Sequence, residues 1–272
     1  MDRIAAALEG SGEVVACLPS RRADGDWGDL RIAVAALAAY APQVPLLVCW
    51  EGPTEPDHLA PHPNLSLVER PPGIGTASEA WNHAVGLARQ WGAVDVILTA
   101  DDVVVVPDSV ERLLGDTAQV RDRFGAQSVG MVAARSNYVK GPQNIRSGNG
   151  GVLSTNMMRW STEDEVFAID MAVPVFACVS IDAFTSVGGM PATNWFGDDL
   201  FCFDLVASGR QNFVSRAYVH HVGERGTGSQ DALLRAGVQF LVDHRRDFIE
   251  AKRLEGLVEQ VLGASVLTGA KR

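Results

Sequence analysis

Two pairs of adjacent aspartates are the residues of this chain best suited to chemistry. Asp101 and Asp102 follow an apolar run, and Asp198 and Asp199 follow two aromatic residues. Neighbouring carboxylates repel each other unless a cation lies between them, and a hard divalent cation prefers oxygen ligands. Aspartate is also common in turns and at helix N-termini, which gives each pair a structural alternative. The pairs therefore predict either a metal and acid–base site or two polar loops.

The first pair lies where a buried strand should end. Residues 94–98 are nearly all apolar, as in a parallel strand that is covered on both faces, and Asp101 and Asp102 come directly after it. Ligands of open α/β sheets bind at the carboxyl ends of the strands. A metal site and a solvated turn before Pro107 are the two interpretations of this stretch.

The second pair lies at the start of a predicted helix. Leu200, Phe203 and Val206 have helical spacing, and Gly209 is well placed to end the helix. An aspartate at this position would cap free backbone N–H groups. A cap needs only one carboxylate, so the other of Asp198 and Asp199 is available as a general base in a partly apolar pocket.

Two histidines follow the next predicted strand. His220 and His221 precede a glycine-rich loop that contains Arg225. Successive residues of a strand point to opposite faces, so only one of the two histidines can easily face a site. The pair and the basic loop favour a role in binding a ligand or diphosphate, and a structural histidine is the alternative.

Repeated strand–helix units must position these side chains. A strand over residues 13–18 ends at Pro19-Ser20-Arg21, Asp29 is a candidate helix cap, a second strand ends at Glu51, and Thr76-Ala77-Ser78-Glu79 has the form of a capping box. This order predicts an α/β protein with a mainly parallel sheet flanked by helices. Polar residues after several strands would then share one rim, as a nucleotide site requires. Pro19-Ser20-Arg21 fits neither a GxGxxG nor a P-loop pattern, which disfavours a Rossmann dehydrogenase and a P-loop enzyme.

Composition limits the possible partners and compartments. The chain has 272 residues, 47% of them hydrophobic, and a formal net charge of −10, so nucleic acid is not an expected partner. Its four cysteines are widely spaced in apolar runs, which predicts buried free thiols in a reducing compartment. The N-terminus lacks a signal-peptide pattern, and prolines interrupt the longest apolar tract, so we expect a cytoplasmic protein without a membrane span.

The second half of the chain predicts further strands, a long loop and C-terminal helices. Strands are expected over residues 129–134 and 176–181, and residues 135–151 follow neither the helical nor the strand period. That loop is either a lid over a polar ligand or a flexible surface excursion. Residues 231–267 predict two helices that pack on the domain or on a second subunit, so a homodimer is a further expectation.

Four segments carry a resemblance to a known family. They are the first strand with Pro19-Ser20, SEAWNHAVGLA, ILTADDVVVVPD, and VGGMPATNWFGDDLFCFDLVASG followed by VHHVG. Over residues 14–228 the chain resembles glycosyltransferases of the GT-A fold, most closely the inverting, nucleotide-sugar-dependent family 2. The resemblance implies a GT-A domain over residues 1–229, with a nucleotide-sugar half at 1–128 and an acceptor half at 129–229. Residues 230–272 would form a C-terminal helical appendage.

The resemblance also implies roles for single residues. Asp102 matches the family's ligand of Mn²⁺ or Mg²⁺, His221 or His220 falls near an additional metal ligand, and Asp198 or Asp199 matches the general base. The first aspartate of the usual DxD motif is replaced by Ala100, which departs from the pattern. The residues that the resemblance and the rim argument together assign to the nucleotide-sugar donor are Pro19, Ser20, Arg21, Glu51, Asn82, Asp101 and Arg225.

The implied reaction is a single displacement at a sugar carbon. A metal would stabilise the departing diphosphate, and an aspartate would take the proton of an acceptor hydroxyl. A retaining GT-A enzyme and a GT-A protein that only binds sugar or nucleotide are the alternatives. A sugar-phosphate nucleotidylyltransferase is disfavoured because it needs a glycine-rich, basic loop after the first strand, and this chain has none there.

Overall fold

Strands and helices alternate along the chain, as the sequence predicts. The computed structural model describes residues 14–147, 157–158, 165–223 and 230–263. The strands are β1 (Val14–Arg21), β2 (Leu46–Glu51), β3 (Leu65–Glu69), β4 (Asp95–Thr99), β5 (Val103–Val105), β6 (Val129–Ser136), β7 (Arg146–Ser147), β8 (Met157–Met158), β9 (Phe167–Ile169), β10 (Phe176–Ser180) and β11 (Gln211–His221). The helices are α1 (Gly28–Tyr40), α2 (Ala77–Gln90), α3 (Ser109–Phe124), α4 (Ile181–Ser186), α5 (Gly197–Ala207), α6 (Gln230–His244), α7 (Arg246–Lys252) and α8 (Glu255–Leu262).

One nine-stranded sheet organises the described part of the chain. Its order is β3-β2-β1-β4-β10-β6-β11-β5, and β9 pairs with the edge of β11. β1 to β4 are mutually parallel, β6 and β11 run in the same direction as they do, and β5, β9 and β10 run against them. The predicted α/β class with a mostly parallel sheet is confirmed. The antiparallel β10 divides the sheet into two parallel groups.

Apolar clusters on both faces hold the sheet. α1 and α3 cover one face through residues such as Leu30 and Leu113, and α2, α4 and α5 cover the other through residues such as Ala84 and Phe201. Because both faces are buried, alternate residues of β1 belong to different clusters, which explains its continuous apolar sequence. α6, α7 and α8 form a third cluster against α5. The C-terminal helices therefore pack directly on the helix that begins with Asp198 and Asp199.

The structure corrects three expectations about the elements. Asp29 does not cap α1, because Trp27 is the N-cap and Asp29 is a buried partner of Arg22 in the first turn. The stretch from residue 94 to 107 holds two strands rather than one, and β5 pairs with β11 instead of continuing β4. The C-terminal region holds three described helices rather than two, because the chain leaves helical geometry at Arg245 and at Arg253, whose φ is +54°.

Two local predictions, the α2 capping box and the state of the cysteines, are confirmed. The capping box of Thr76 and Glu79 begins α2, with hydrogen bonds in both directions between the two residues. The four cysteines are buried and free. Among the described helices, none combines the length and apolarity that crossing a bilayer requires.

Candidate active site

The turn between β4 and β5 presents the first acidic pair at the carboxyl edge of the sheet. β4 ends at Thr99, and the chain turns at residues 100–102 before β5 crosses to β11. Asp101 then faces β1: its Oδ2 accepts a hydrogen bond from Ser20 Oγ at 2.5 Å and lies 2.9 Å from Arg22 Nη2. Burial raises the pKa of Asp101 to about 6, although Arg22 and Ser20 oppose this rise.

Asp102 faces the opposite strand. Its Oδ2 lies 3.2 Å from Nε2 of His221, and its carbonyl accepts a hydrogen bond from the backbone N–H of Val222. Burial opposes ionisation of Asp102, but the contact with His221 more than offsets it, so the pKa of Asp102 is lowered. Burial likewise opposes the charged form of His221, and Asp102 outweighs it, so the pKa of His221 is raised. Each group favours the charged form of the other.

The other ring nitrogen of His221 is fixed by a backbone carbonyl. Nδ1 donates to the carbonyl oxygen of Tyr138 at 2.7 Å, and the Tyr138 ring stands edge-on to the imidazole with centroids 5.6 Å apart. With Nδ1–H held by this carbonyl, Nε2 donates a proton to Asp102 in the charged ring and carries a lone pair in the neutral ring, and the neutral form is the usual arrangement of a metal-binding histidine. The lone pair points at Asp102, so a cation between the two groups would satisfy both.

The two histidines of β11 differ in their surroundings. His221 is opposite Val103 in the β11–β5 pair, and His220 is opposite Val104 and exposed. Because residues of a strand alternate between its faces, only His221 lies beside Asp102. Of the two candidates for a metal ligand, the structure brings His221 to the acidic pair and leaves His220 on the other face.

The second acidic pair begins α5 but does not cap it. The N-cap is Phe196, at φ +69°, and no side chain accepts a capping hydrogen bond there. Burial raises the pKa of Asp198 to about 6, and the adjacent charge of Asp199 adds to the rise. The predicted helix start is confirmed, but the capping role is wrong. Neither carboxylate occupies the N-cap position: that of Asp198 interacts with the backbone N–H groups of residues 198 and 199, and that of Asp199 faces Lys140.

A cleft of about 290 Å³ lies against the first acidic pair. It is lined by Pro19, Ser20, Arg21, Arg22, Arg70, Gly75, Thr76, Ala77, Ala80, Trp81, Ala100, Asp101, Asn194 and Leu233. Asn194 precedes α5 and accepts a hydrogen bond from the N–H of Ala77 at 3.0 Å, so the loop before the second acidic pair reaches the cleft. The rim predicted from the strand ends is thus a cleft with a cationic wall.

Glu51 is engaged by two arginines beside this cleft. Its Oε1 lies 3.3 Å from Arg21 Nε, and its Oε2 pairs with Nη2 of Arg70, whose side chain is almost fully buried. The carboxylate predicted for the donor is therefore neutralised by its neighbours. It is the arginines, rather than Glu51, that line the cleft.

Asn82, another residue predicted to bind the donor, does not line this cleft. Both amide atoms of Asn82 bond the backbone of Met190, at 2.8 Å each, which ties α2 to the Gly188–Gly189 turn. We therefore correct its assignment: Asn82 is a packing residue. Arg225 lies outside the described residues.

Several residues of this site are not predicted from the sequence. Arg22 and Arg70 line the cleft, Tyr138 orients His221, and Leu233 brings α6 to the cleft wall. Arg22 adjoins the predicted residues Ser20 and Arg21, so the end of the first strand could have indicated it. The other three depend on contacts between distant segments, for which the sequence gives no signal.

The order of the strands and helices identifies the fold of this chain. The chain has the GT-A glycosyltransferase fold that the sequence predicts, and solved structures share it. No protein-family model matches the sequence, and no curated protein does.

Two solved structures illustrate the likeness. GalNAc-T7, crystallised with UDP, GalNAc and Mn²⁺, superposes with a TM-score of 0.60 and 12% identity, over 89% of this chain and 50% of that one. S. aureus TarS superposes with a TM-score of 0.50 and 13% identity, over 93% of this chain and 50% of that one. The present chain thus spans about half the length of each, and at these identities the likeness concerns the fold.

Proposed function

We propose that this protein is a metal-dependent glycosyltransferase that moves a sugar from a nucleotide-diphosphate sugar to an acceptor hydroxyl, with inversion at the anomeric carbon. The observation that carries the proposal is the Asp102–His221 pair. Its facing atoms are 3.2 Å apart at the carboxyl edge of the sheet, next to a cleft lined by three arginines. GalNAc-T7, which shares the fold, was crystallised with UDP, GalNAc and Mn²⁺, and the same classes of ligand suit this cleft.

The donor set fits a divalent cation that a substrate helps to bind. A carboxylate and an imidazole with a bare Nε2 suit Mn²⁺ or Mg²⁺. Among the described residues, no three His, Cys, Asp or Glu side chains are grouped closely enough to form a metal site by themselves. Diphosphate oxygens and water would complete the ligands of Asp102 and His221. A cation bound there supplies charge for the departing diphosphate.

The chain's own residues supply positioning and proton transfer. Arg22 is held between Asp101 and Asp29, so its guanidinium forms a fixed cationic wall of the cleft, suited to an anionic donor. The second acidic pair contains the base, which takes the acceptor proton as the hydroxyl attacks. Asp198, with a pKa of about 6, combines basicity with a charged form at neutral pH.

Donor binding tests the metal part of this proposal. Titration calorimetry with UDP-N-acetylgalactosamine and a panel of other nucleotide sugars, with and without Mn²⁺, should identify a donor whose affinity depends on the metal. Asp102→Asn removes one of two protein ligands, so we expect this metal-dependent gain to fall by about 100-fold, or about 2.7 kcal/mol. His220→Gln is the matched control and should bind as the unmodified protein does. Failure of every donor to bind with Mn²⁺ would refute the proposal.

Transfer and stereochemistry test the rest. Asp198→Asn and Asp199→Asn should both retain donor binding, and the variant that lacks the base should lose donor hydrolysis and transfer. The anomer released first, observed by NMR, should be inverted relative to the donor. Full activity in both variants would exclude the acidic pair, and a retained anomer would exclude a single displacement.

A further inference from the structure

One short segment touches both halves of the proposed site. Residues 137–140 follow β6, and the Asn137 side chain bonds the backbone of His221 twice: Oδ1 accepts from its N–H at 2.8 Å and Nδ2 donates to its carbonyl at 3.0 Å. The next residue, Tyr138, receives the Nδ1 hydrogen bond of the same histidine. The first half of this segment therefore fixes the backbone and the ring of the candidate metal ligand.

The second half of the segment reaches the other acidic pair. Lys140 Nζ lies 3.6 Å from Oδ2 of Asp199, whose side chain is 18% exposed. The charged or titratable groups that act on this part of the α5 N-terminus are Asp198, Asp199, Lys140 and Cys202, and Lys252 of α7 acts on Cys202. Within the part of the chain that the structure describes, no second lysine or arginine lies within 4 Å of this carboxylate.

The turn after the segment fixes its position. Gln143 is buried, and its amide donates to the carbonyls of Ala134 and Val173 and accepts from the N–H of Val173, at 2.7 to 2.9 Å. Asn144 Nδ2 also donates to the carbonyl of Val139 at 2.9 Å. These bonds hold the backbone on both sides of Lys140, although its side chain is 71% exposed. The backbone at residue 140 is thus set by buried contacts.

We propose that Lys140 is a positioning residue of the acidic pair: its ammonium group is the counter-ion that holds the Asp199 carboxylate beside Asp198, and residues 137–140 thereby join the metal-binding histidine to the general base. This inference rests on the proposed function for its catalytic meaning. The contact itself can be tested without a donor. Lys140 acts through the aspartates and takes no proton from the acceptor.

Removal of the ammonium group should change the titration of the pair. Two adjacent carboxylates disfavour each other's charged forms, and a cation 3.6 Å away opposes that effect. Because Lys140 is largely exposed, the dielectric constant of water is the appropriate scale, and the lost attraction corresponds to about one pH unit. Because Lys140 lowers the pKa of Asp198, that carboxyl group should titrate at a higher pH in Lys140→Met than in the unmodified protein.

The experiment is an NMR titration of aspartate side-chain carboxyl carbons, with the two signals assigned from Asp198→Asn and Asp199→Asn. Lys140→Met should raise the midpoint of the pair, and Lys140→Arg should restore it because the cation returns. Lys252→Met removes an equal charge from α7, where the charge acts on Cys202 and is not paired with Asp199, and this comparison variant should shift the midpoint less than Lys140→Met does. Unchanged midpoints in Lys140→Met, or equal shifts in Lys140→Met and Lys252→Met, would overturn the inference.

Activity then separates this inference from the proposed function. If a donor is hydrolysed, the acidic limb of the pH–rate profile should move to higher pH in Lys140→Met, and donor affinity should be unchanged. Lys140→Arg should return the acidic limb to its position in the unmodified protein. If the NMR midpoint moves but no donor is bound or hydrolysed by the unmodified protein, the counter-ion role stands and the proposed function fails. If the enzyme is active and Lys140→Met shifts the NMR midpoint but not the pH–rate profile, Lys140 does not position the catalytic base.

Discussion

Replacement of Asp116 by asparagine should destabilise the anchor of the strand that carries His221. Asp116 lies on α3, is fully buried, and accepts hydrogen bonds from Ser215 Oγ and the backbone N–H of Arg216 at 2.7 Å each. Its second oxygen accepts from Nε and Nη2 of Arg216. All four donors belong to β11, so this one carboxylate ties α3 to the strand. The substitution preserves the shape of the side chain and removes its charge.

The geometry sets the size of the effect. One oxygen of the asparagine can still accept from Ser215 and from the N–H of Arg216, but its NH₂ group then faces the guanidinium. Hydrogen bonds to charged groups contribute about 1.5–3 kcal/mol each, and the Arg216 side chain, which is 41% exposed, can recover some of its hydration. We expect a loss of about 3 kcal/mol in the free energy of unfolding, or a fall of roughly 6–12 °C in Tm. Asp116→Ala, which leaves the buried donors without an acceptor, should cost more.

The pH dependence of stability shows whether the charge of Asp116 stabilises the fold. Burial opposes ionisation of Asp116, but hydrogen bonds from Arg216 and Ser215 more than offset it and lower the pKa of its carboxyl group. A carboxyl group whose pKa is lower in the folded than in the unfolded protein stabilises the fold at every pH above the unfolded-state pKa, which is about 3.9 for aspartate. This stabilisation is lost as the pH falls through the pKa of the folded state. The difference in stability between the unmodified protein and Asp116→Asn should be constant from pH 6 to 8 and shrink below about pH 4.

Urea unfolding followed by circular dichroism at pH 7 and at a series of lower pH values measures both quantities. Glu111→Gln, on the first turn of the same helix, removes a charge from an exposed position and should change stability by less than about 0.5 kcal/mol. Equal stability of Asp116→Asn and the unmodified protein at pH 7 would refute the anchor. A difference that grows as the pH falls would refute the electrostatic argument.

Three further substitutions test the supports of the site. Gly223→Ala should cost at least 2 kcal/mol in urea unfolding, because φ is +69° and the new Cβ would lie 2.5 Å from a ring carbon of Tyr138; an unchanged midpoint would contradict this. Asn82→Ala should lose about 1–3 kcal/mol of stability because both hydrogen bonds to Met190 are lost. Its donor affinity in calorimetry should equal that of the unmodified protein, since Asn82 does not line the cleft. Weaker donor binding would show that Asn82 does belong to the donor site. Arg245→Met breaks a bidentate pair with Asp204 and should lower the stability by about 1 kcal/mol in thermal unfolding; no change would show that α5 does not need this contact.

The sequence predicts those parts of the fold that depend on local physical chemistry. The α2 start follows from a capping box whose partners are three residues apart, and the buried strand β4 follows from its unbroken apolar run. The end of β4 before Asp101 was predicted, but β5 was not, because nothing in its short apolar run shows which strand it pairs with. Only the pairing of β5 with β11, more than a hundred residues later, makes it a separate strand.

The same difference applies to the site. The sequence indicates Asp102 and a histidine as candidate metal ligands. The choice of His221 over His220 depends on the register of β11 against β5. Arg70 and Leu233 reach the cleft from two distant segments, and no local pattern distinguishes them from surface residues, whereas Arg22 adjoins the predicted Ser20 and Arg21. Sequence patterns can therefore propose the reactive residues of this protein more readily than the residues that surround them.

The first acidic pair shows why adjacent residues of one type acquire different roles. Asp101 and Asp102 lie in a turn between two strands that have different neighbours, so one carboxylate contacts the β1 end and the other contacts β11. Asp101 is held by Ser20 and Arg22 with its pKa raised to about 6, whereas the pKa of Asp102 is lowered beside His221. A hard cation requires a charged carboxylate, and Asp102 remains charged to lower pH than Asp101 does. The environment, rather than the residue type, therefore favours Asp102 over Asp101 as the ligand of the proposed metal, and Asp101 joins the β4 turn to the cleft.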